Sequence, residues 1–115
     1  MKIYNVGIIG ATGMVGQRFI TLLEDHPWFK VTALAASSRS AGNKYSEAVN
    51  HKWLMRGEIP LSVRNMIVLD AQADILKIVS QVDFVFCAVN MEKDKIKKLE
   101  EQYAKLECPV ISNNS

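Results

Sequence analysis

Cysteine is scarce in this 115-residue chain, and neither sign of charge dominates. Its two cysteines, Cys87 and Cys108, suit neither a metal framework nor a disulfide scaffold. No apolar run approaches the roughly 20 residues of a membrane helix, and no signal-peptide pattern precedes the first strand-like segment. A net charge of +2, with Lys and Arg spread among acids, argues against a nucleic-acid partner. Internal repeats and low-complexity stretches are lacking too. At 49% hydrophobic and 23% charged, the chain has enough apolar content for a core, which argues against intrinsic disorder. These limits lead to one small cytoplasmic globular domain over residues 1–115, with no membrane partner, no nucleic acid and no metal.

What is present is an alternation of strand-like and helix-like segments. Val6 to Ile9 is a short β-rich run ending at Gly10. Val15, Phe19, Leu22 and Leu23 then share one helical face, and Pro27 closes that segment. Val31 to Ala36 reads as a second buried strand, followed by the polar Ser37-Ser38-Arg39-Ser40. Residues 41–65 show no clean period and read as a long excursion with one helical turn near Ser46 to Asn50. Met66 to Leu69, Phe84 to Val89 and Pro109 to Ser112 supply further strands, with a short helix around Asp74 to Ser80. Asn90 is the expected N-cap of a helix from Glu92 to Leu106, where Ile96, Leu99, Tyr103 and Leu106 form one stripe. In that helix Asp94/Lys98, Lys97/Glu101 and Glu101/Lys105 are spaced to pair. The alternation predicts an α/β fold: a Rossmann-like, doubly wound, mainly parallel sheet of about five strands with helices on both faces.

Gly10-Ala11-Thr12-Gly13-Met14-Val15-Gly16 sits between the first strand and the first helix. Gly10, Gly13 and Gly16 there permit a tight turn, close approach of the backbone to a pyrophosphate, and close packing of helix on sheet. The amides of Thr12, Gly13, Met14 and Val15 would face the phosphates from the positive end of the helix, and Thr12 could add its hydroxyl. The bland alternative is a glycine-rich turn that only allows tight packing. No Gly-Lys-Ser/Thr follows, so this is not a P-loop. An NAD site usually places an acid at the end of the second strand, to hold the ribose 2′-hydroxyl. Here Ser37, Ser38, Arg39 and Ser40 stand instead, and their donors favour the 2′-phosphate of NADP. A solvated loop is the other reading of that tetrapeptide.

Ala88, with Val89 and Asn90, ends the fourth strand on the same carboxyl edge, where small residues leave room for a cofactor. Asn113 and Asn114 follow the fifth strand and could touch the nicotinamide end; a frayed terminus is the alternative. No catalytic residue is assigned. Cys87 reads as a small buried hydrophobe, and Cys108 has no base fixed beside it. His26 and His51 lie in loops without a nearby acid or cysteine motif. Trp28, Phe29 and Trp53 are expected to cover the sheet edge or join an interface.

Three segments carry a family resemblance: NVGIIGATGMVGQRF (Asn5 to Phe19), ALAASSRSAG (Ala33 to Gly42) and VISNNS (Val110 to Ser115). Together they resemble the amino-terminal, NADP-binding part of the aspartate-semialdehyde dehydrogenase family. Malonyl-CoA and succinyl-CoA reductases share the same amino-terminal motifs. The resemblance implies reduction of 4-aspartyl phosphate to aspartate 4-semialdehyde with NADPH, on the route to lysine, threonine and methionine. It also implies a cysteine that forms a thioester and a histidine that handles the proton, both in a second domain. A substrate-binding arginine follows the VISNNS-like stretch in the family. None of these has a counterpart here, so the resemblance implies a fragment that is inactive alone, meets the acyl phosphate only as part of the full-length protein, and tends to homo-oligomerise. Two readings stay open beside it: a free-standing NADP-binding module, and a Rossmann-like scaffold that binds no nucleotide.

Overall fold

The apolar run near the start of the chain becomes the middle of the molecule. The computed structural model describes residues 2–112. β1 (Tyr4–Ile9) runs through the centre of a sheet, between β2 (Phe29–Ala36) and β4 (Phe84–Cys87). β3 (Leu69–Asp70) lies outside β2 and β5 (Val110–Ser112) outside β4, giving the order β3-β2-β1-β4-β5. Every strand pairing is parallel. The helices are α1 (Met14–Leu23), α2 (Tyr45–Ala48), α3 (Leu61–Arg64), α4 (Ile75–Val79) and α5 (Lys93–Lys105). The doubly wound α/β fold expected from the sequence is the fold observed.

Alternation along the strands divides the interior into two cores. Val6, Ile8, Leu34 and Ala36 pack with Ile20 and Leu23 of α1, Tyr45 of α2 and Val63 of α3. Ile9, Ala33, Ala35, Val85 and Cys87 face the other way, onto Ile78 of α4 and Leu99 and Tyr103 of α5. Each core holds a buried tyrosine whose hydroxyl donates to a backbone carbonyl. Tyr45 reaches Ala11 O at 2.7 Å, and Tyr103 reaches Ala71 O at 2.8 Å. Toward β4 the first core is aromatic, with Phe19 stacked on Phe86 at 4.9 Å and Phe29 edge-on to Phe84 at 5.6 Å. No helix among the described residues is long and apolar enough to cross a membrane.

Several boundaries differ from the sequence-based expectation, each for a local reason. The buried face of α1 is Gly16, Gln17, Ile20 and Leu23, while Leu22 is exposed. That face is set by Gly16, which lies against the preceding loop. The third strand is shorter and later than Met66 to Leu69. Gly42 N–H donates to Val68 O and Val68 N–H to Asn43 O, both at 2.8 Å, so residue 68 is taken up by this antiparallel contact. Only Leu69 and Asp70 then pair with Ala35 and Ala36. β4 ends at Cys87 rather than Val89, and α5 begins at Lys93, with Glu92 rather than Asn90 in the N-cap position. Ala88 N–H still bonds Ile9 O at 2.8 Å, but beyond it the chain bends around Gly10 and keeps Asn90 in a loop. Ile96, Leu99 and Tyr103 are buried as expected, whereas Leu106, past the helix end, is exposed. The spaced charges of α5 form no ion pairs; among the described residues the one pair is Arg64–Glu58 at 3.5 Å. Water competes well for charges on an open helix face.

Two glycines set the distance between α1 and the sheet. A Cβ on Gly16 would stand 2.1 Å from Gly10 O, a backbone atom with no room to retreat. At Gly10 itself the φ of +88° is left-handed, and a Cβ would lie 2.8 Å from backbone atoms of Ala88 and Val89. Gly13 differs, since a Cβ there meets nothing nearer than Gly10 O at 3.8 Å. In urea melts, Gly16→Ala should lose about 2 kcal/mol of stability, whereas Gly13→Ala should stay within about 0.5 kcal/mol of the parent.

Burial also acts on the ionisable core residues. It pushes the Cys87 thiol up to about 12, with the nearby Glu100 carboxylate adding to the shift. It pushes the phenols of Tyr45 and Tyr103 up as well. An acid whose folded pKa lies above its unfolded one stabilises fully below the unfolded value and loses that contribution as pH rises. Unfolding free energy should therefore hold level to about pH 8.5 and decline from there upward; a curve flat to about pH 11 would contradict the burial of these three groups.

Candidate functional site

Because all strands run the same way, the loops leaving their carboxyl ends gather at one edge, on either side of β1. A cleft of about 1000 Å³ opens there. Gly10, Ala36 and Ala88, at the ends of β1, β2 and β4, line it and keep it open by being small. Thr12, Gly13, Met14 and Val15 line it from the glycine loop, and Ser37 and Ser38 from the turn after β2. Apart from Ala36, these are residues the sequence singled out.

Three other expected residues stand elsewhere. Gly16 is buried beneath the loop as a packing contact. Arg39 and Ser40 occupy the turn beyond Ser38, where Ser40 N–H and Ala41 N–H both donate to Ser37 O, at 3.0 and 3.2 Å. The Arg39 side chain is exposed and makes no hydrogen bond or ion pair among the described residues. Asn113 lies outside the described residues.

The helix end at the cleft is electropositive and uncapped. Gly13 is the N-cap of α1 and no side chain bonds to the first turn. The ladder starts with Gln17 N–H to Gly13 O at 2.9 Å, and the amides of Thr12, Met14 and Val15 have no backbone partner among the described residues. Such free amides, at the positive end of a helix dipole, form an anion site.

The loop is held from behind. Gln17, only 1% exposed, donates through Nε2 to Thr12 O and Lys52 O, both at 3.0 Å, and accepts Leu54 N–H on Oε1 at 2.8 Å. These bonds tie the glycine loop to the 41–65 excursion.

Sequence reasoning missed part of the rim. Asp70, at the end of β3, and Gln72 and Ala73 after it also line the cleft, with Met91 from the loop after β4 and Gln102 from α5. One oxygen of the Asp70 carboxylate is engaged: Oδ1 accepts the Gln72 and Ala73 N–H groups at 2.9 Å each. Asp70 N–H in turn donates to Asp74 Oδ2 at 2.8 Å. The signal was an aspartate opening a turn after a strand, a pattern that bonds its own downstream amides. Gln102 had no local signal, since its place follows from how α5 packs.

Neither cysteine lines the cleft. Both are buried in the second core, and burial pushes both thiols up, which suppresses the thiolate at neutral pH. His26 accepts Trp28 N–H on Nδ1 at 3.1 Å and stacks on Phe29, while His51 is exposed. No group of three or more His, Cys, Asp or Glu residues among the described residues is arranged to hold a metal ion.

Comparison with known proteins agrees with this geometry. Residues 5–115 match the family model for the semialdehyde dehydrogenase, NAD binding domain. The chain is 48% identical over 111 residues to aspartate-semialdehyde dehydrogenase of Methanothermobacter thermautotrophicus, an alignment covering 96% of this chain and 29% of that one. It is 37% identical over 107 residues to malonyl CoA reductase (NADP) of Metallosphaera sedula, covering 93% and 28%. A crystal structure of aspartate semialdehyde dehydrogenase with NADP from Candida albicans aligns with a TM-score of 0.85 at 34% identity, covering 98% of this chain and 30% of that one. The chain thus spans less than a third of the length of these relatives. With the glycine loop, the sheet order and nearly every residue matched, the chain belongs to the semialdehyde dehydrogenase family, as its NAD-binding domain.

Proposed function

We propose that this chain is the NADP-binding portion of an aspartate-semialdehyde dehydrogenase, with NADP preferred over NAD. The observation that carries the preference is the exposed Ser37-Ser38-Arg39 turn at the end of β2. That turn holds no carboxylate; the Asp70 carboxylate elsewhere in the cleft accepts two amides of its own turn on Oδ1. The unpaired Arg39 guanidinium offers a planar fork to a 2′-phosphate, supported by the hydroxyls of Ser37, Ser38 and Ser40. The free amides of Thr12, Met14 and Val15 suit a pyrophosphate, and the open space over Gly13 admits it closely. Ala88 and Asn113 are assigned to the nicotinamide end. When bound, that ring carries the hydride.

This chain's own residues bind and orient; they do not supply the thiol. Covalent acyl transfer needs an accessible thiolate beside a base, and Cys87 and Cys108 are buried with raised pKa values. The acyl chemistry is therefore assigned to other polypeptide of the full-length enzyme, and this chain alone is expected to be inactive. An aspartyl rather than malonyl acyl group is favoured by the higher identity to the aspartate-semialdehyde relative. Two cysteines that form no disulfide among the described residues accord with a reducing, cytoplasmic setting. Trp28 and Ile111, both about half exposed, favour a homo-oligomer; a clean monomer in size-exclusion chromatography at high concentration would count against it.

The cofactor reading is tested by thermal-shift titration with NADPH and, separately, NADH. A hundredfold excess over Kd stabilises the folded state by about 2.7 kcal/mol, a rise of several degrees in Tm. The rise should come with NADPH, be much smaller with NADH, and largely disappear in Arg39→Ala. Gly13→Ala should keep the parent Tm without ligand yet lose most of the NADPH shift. Equal shifts with both cofactors would contradict the preference, and no shift with either would contradict nucleotide binding itself.

A further inference from the structure

We propose that Tyr45, together with Gln17, positions the glycine loop for pyrophosphate binding by holding two consecutive loop carbonyls from behind; this rests on the dinucleotide reading above. The Tyr45 hydroxyl donates to Ala11 O at 2.7 Å, and Gln17 Nε2 donates to Thr12 O at 3.0 Å. Both side chains are buried, at 0% and 1% exposure. Neither lines the cleft, so neither is a ligand-binding residue.

The effect on the loop follows from peptide geometry. In a trans peptide the carbonyl and the next N–H point in opposite directions, and the described residues contain no cis bond. Drawing the Ala11 carbonyl toward Tyr45 therefore turns the Thr12 N–H away from the core, and Thr12 lines the cleft. That N–H has no partner within the described residues. Holding the Thr12 carbonyl likewise fixes the following peptide, whose N–H makes only a 3.3 Å bond to Gly10 O. Glycine on both sides leaves this backbone few constraints of its own. Without the two donors the peptide planes would be free to rotate, and binding would have to include the entropy of ordering them.

The excursion between β2 and β3 supplies one support and anchors the other, Gln17 of α1. Tyr45 opens α2, its ring edge-on to Trp53 at 6.4 Å. Gln17 is locked in turn by Lys52 O and Leu54 N–H. Tyr45, 34 positions from Ala11, and Lys52, 35 positions from Gln17, thus help to hold the loop's shape, and the excursion acquires a role in binding without touching ligand.

The test uses two ligands that share one end. NADPH engages the loop through its pyrophosphate, whereas adenosine 2′-monophosphate has the 2′-phosphate but no pyrophosphate. Kd values for both are measured by calorimetry on the parent chain, Tyr45→Phe and Gln17→Met. Removing a hydrogen bond of this type should weaken NADPH about fivefold in each variant, with 2′-monophosphate affinity within about twofold of the parent. Unchanged NADPH affinity would overturn the proposal, since the bonds would then be idle in binding. Equal weakening of both ligands would overturn it as well, because it would mean general loosening. Loss of the folded near-UV signal in both variants would also overturn it, the bonds then serving the fold alone. A parent chain that binds neither ligand would instead bring down the dinucleotide reading, and this proposal with it.

Discussion

The backbone of α1 crosses the end of β1 so closely that the Gly10 carbonyl occupies the space of any side chain at position 16. Gly10 in turn presses against the backbone at Ala88 and Val89, so β1, α1 and the loop after β4 meet at one point without side chains between them. The position of the cleft depends on this contact. Were α1 lifted by even a methyl group, its first amides would shift relative to the β2 turn, and the two walls of the cleft would no longer face one opening.

Around that point the polar groups divide into those already bonded and those left free. The Asp70 carboxylate, the Gln17 amide and the Tyr45 and Tyr103 hydroxyls are all engaged within the protein. The first amides of α1 and the Arg39 guanidinium have no partner among the described residues. The open backbone amides and the guanidinium are donors, suited to anions. The one carboxylate among the residues that line the cleft, Asp70, accepts two amides of its own turn on Oδ1.

The glycine loop was legible because its requirements are local: a left-handed turn at Gly10 and a close contact at Gly16 admit no other residue type. The Ser37 to Ser40 turn was legible because a buried strand, Val31 to Ala36, sets where it begins. β3 was misplaced because Val68 has two possible partners, and the choice is made by Gly42 and Asn43, some 25 residues earlier. The Asp70 rim went unseen for the same reason. Gln17 and Tyr45 gave no sign, since their partners are carbonyls, which carry no residue identity and lie 5 and 34 positions away. Helix boundaries in α5 shifted because a capping residue type at Asn90 does not cap when the chain must first bend around Gly10.

The two buried tyrosines approach the cleft from opposite layers, one under the loop after β1 and the other under the loop after β3. Binding loops commonly belong to the least stable, most readily opened parts of a domain. Here each loop is moored to a core side chain, so neither opens without disturbing a whole helical layer. The cleft then lasts as long as the folded domain does, and a ligand arriving there meets a shape that already exists rather than one it must select from an ensemble.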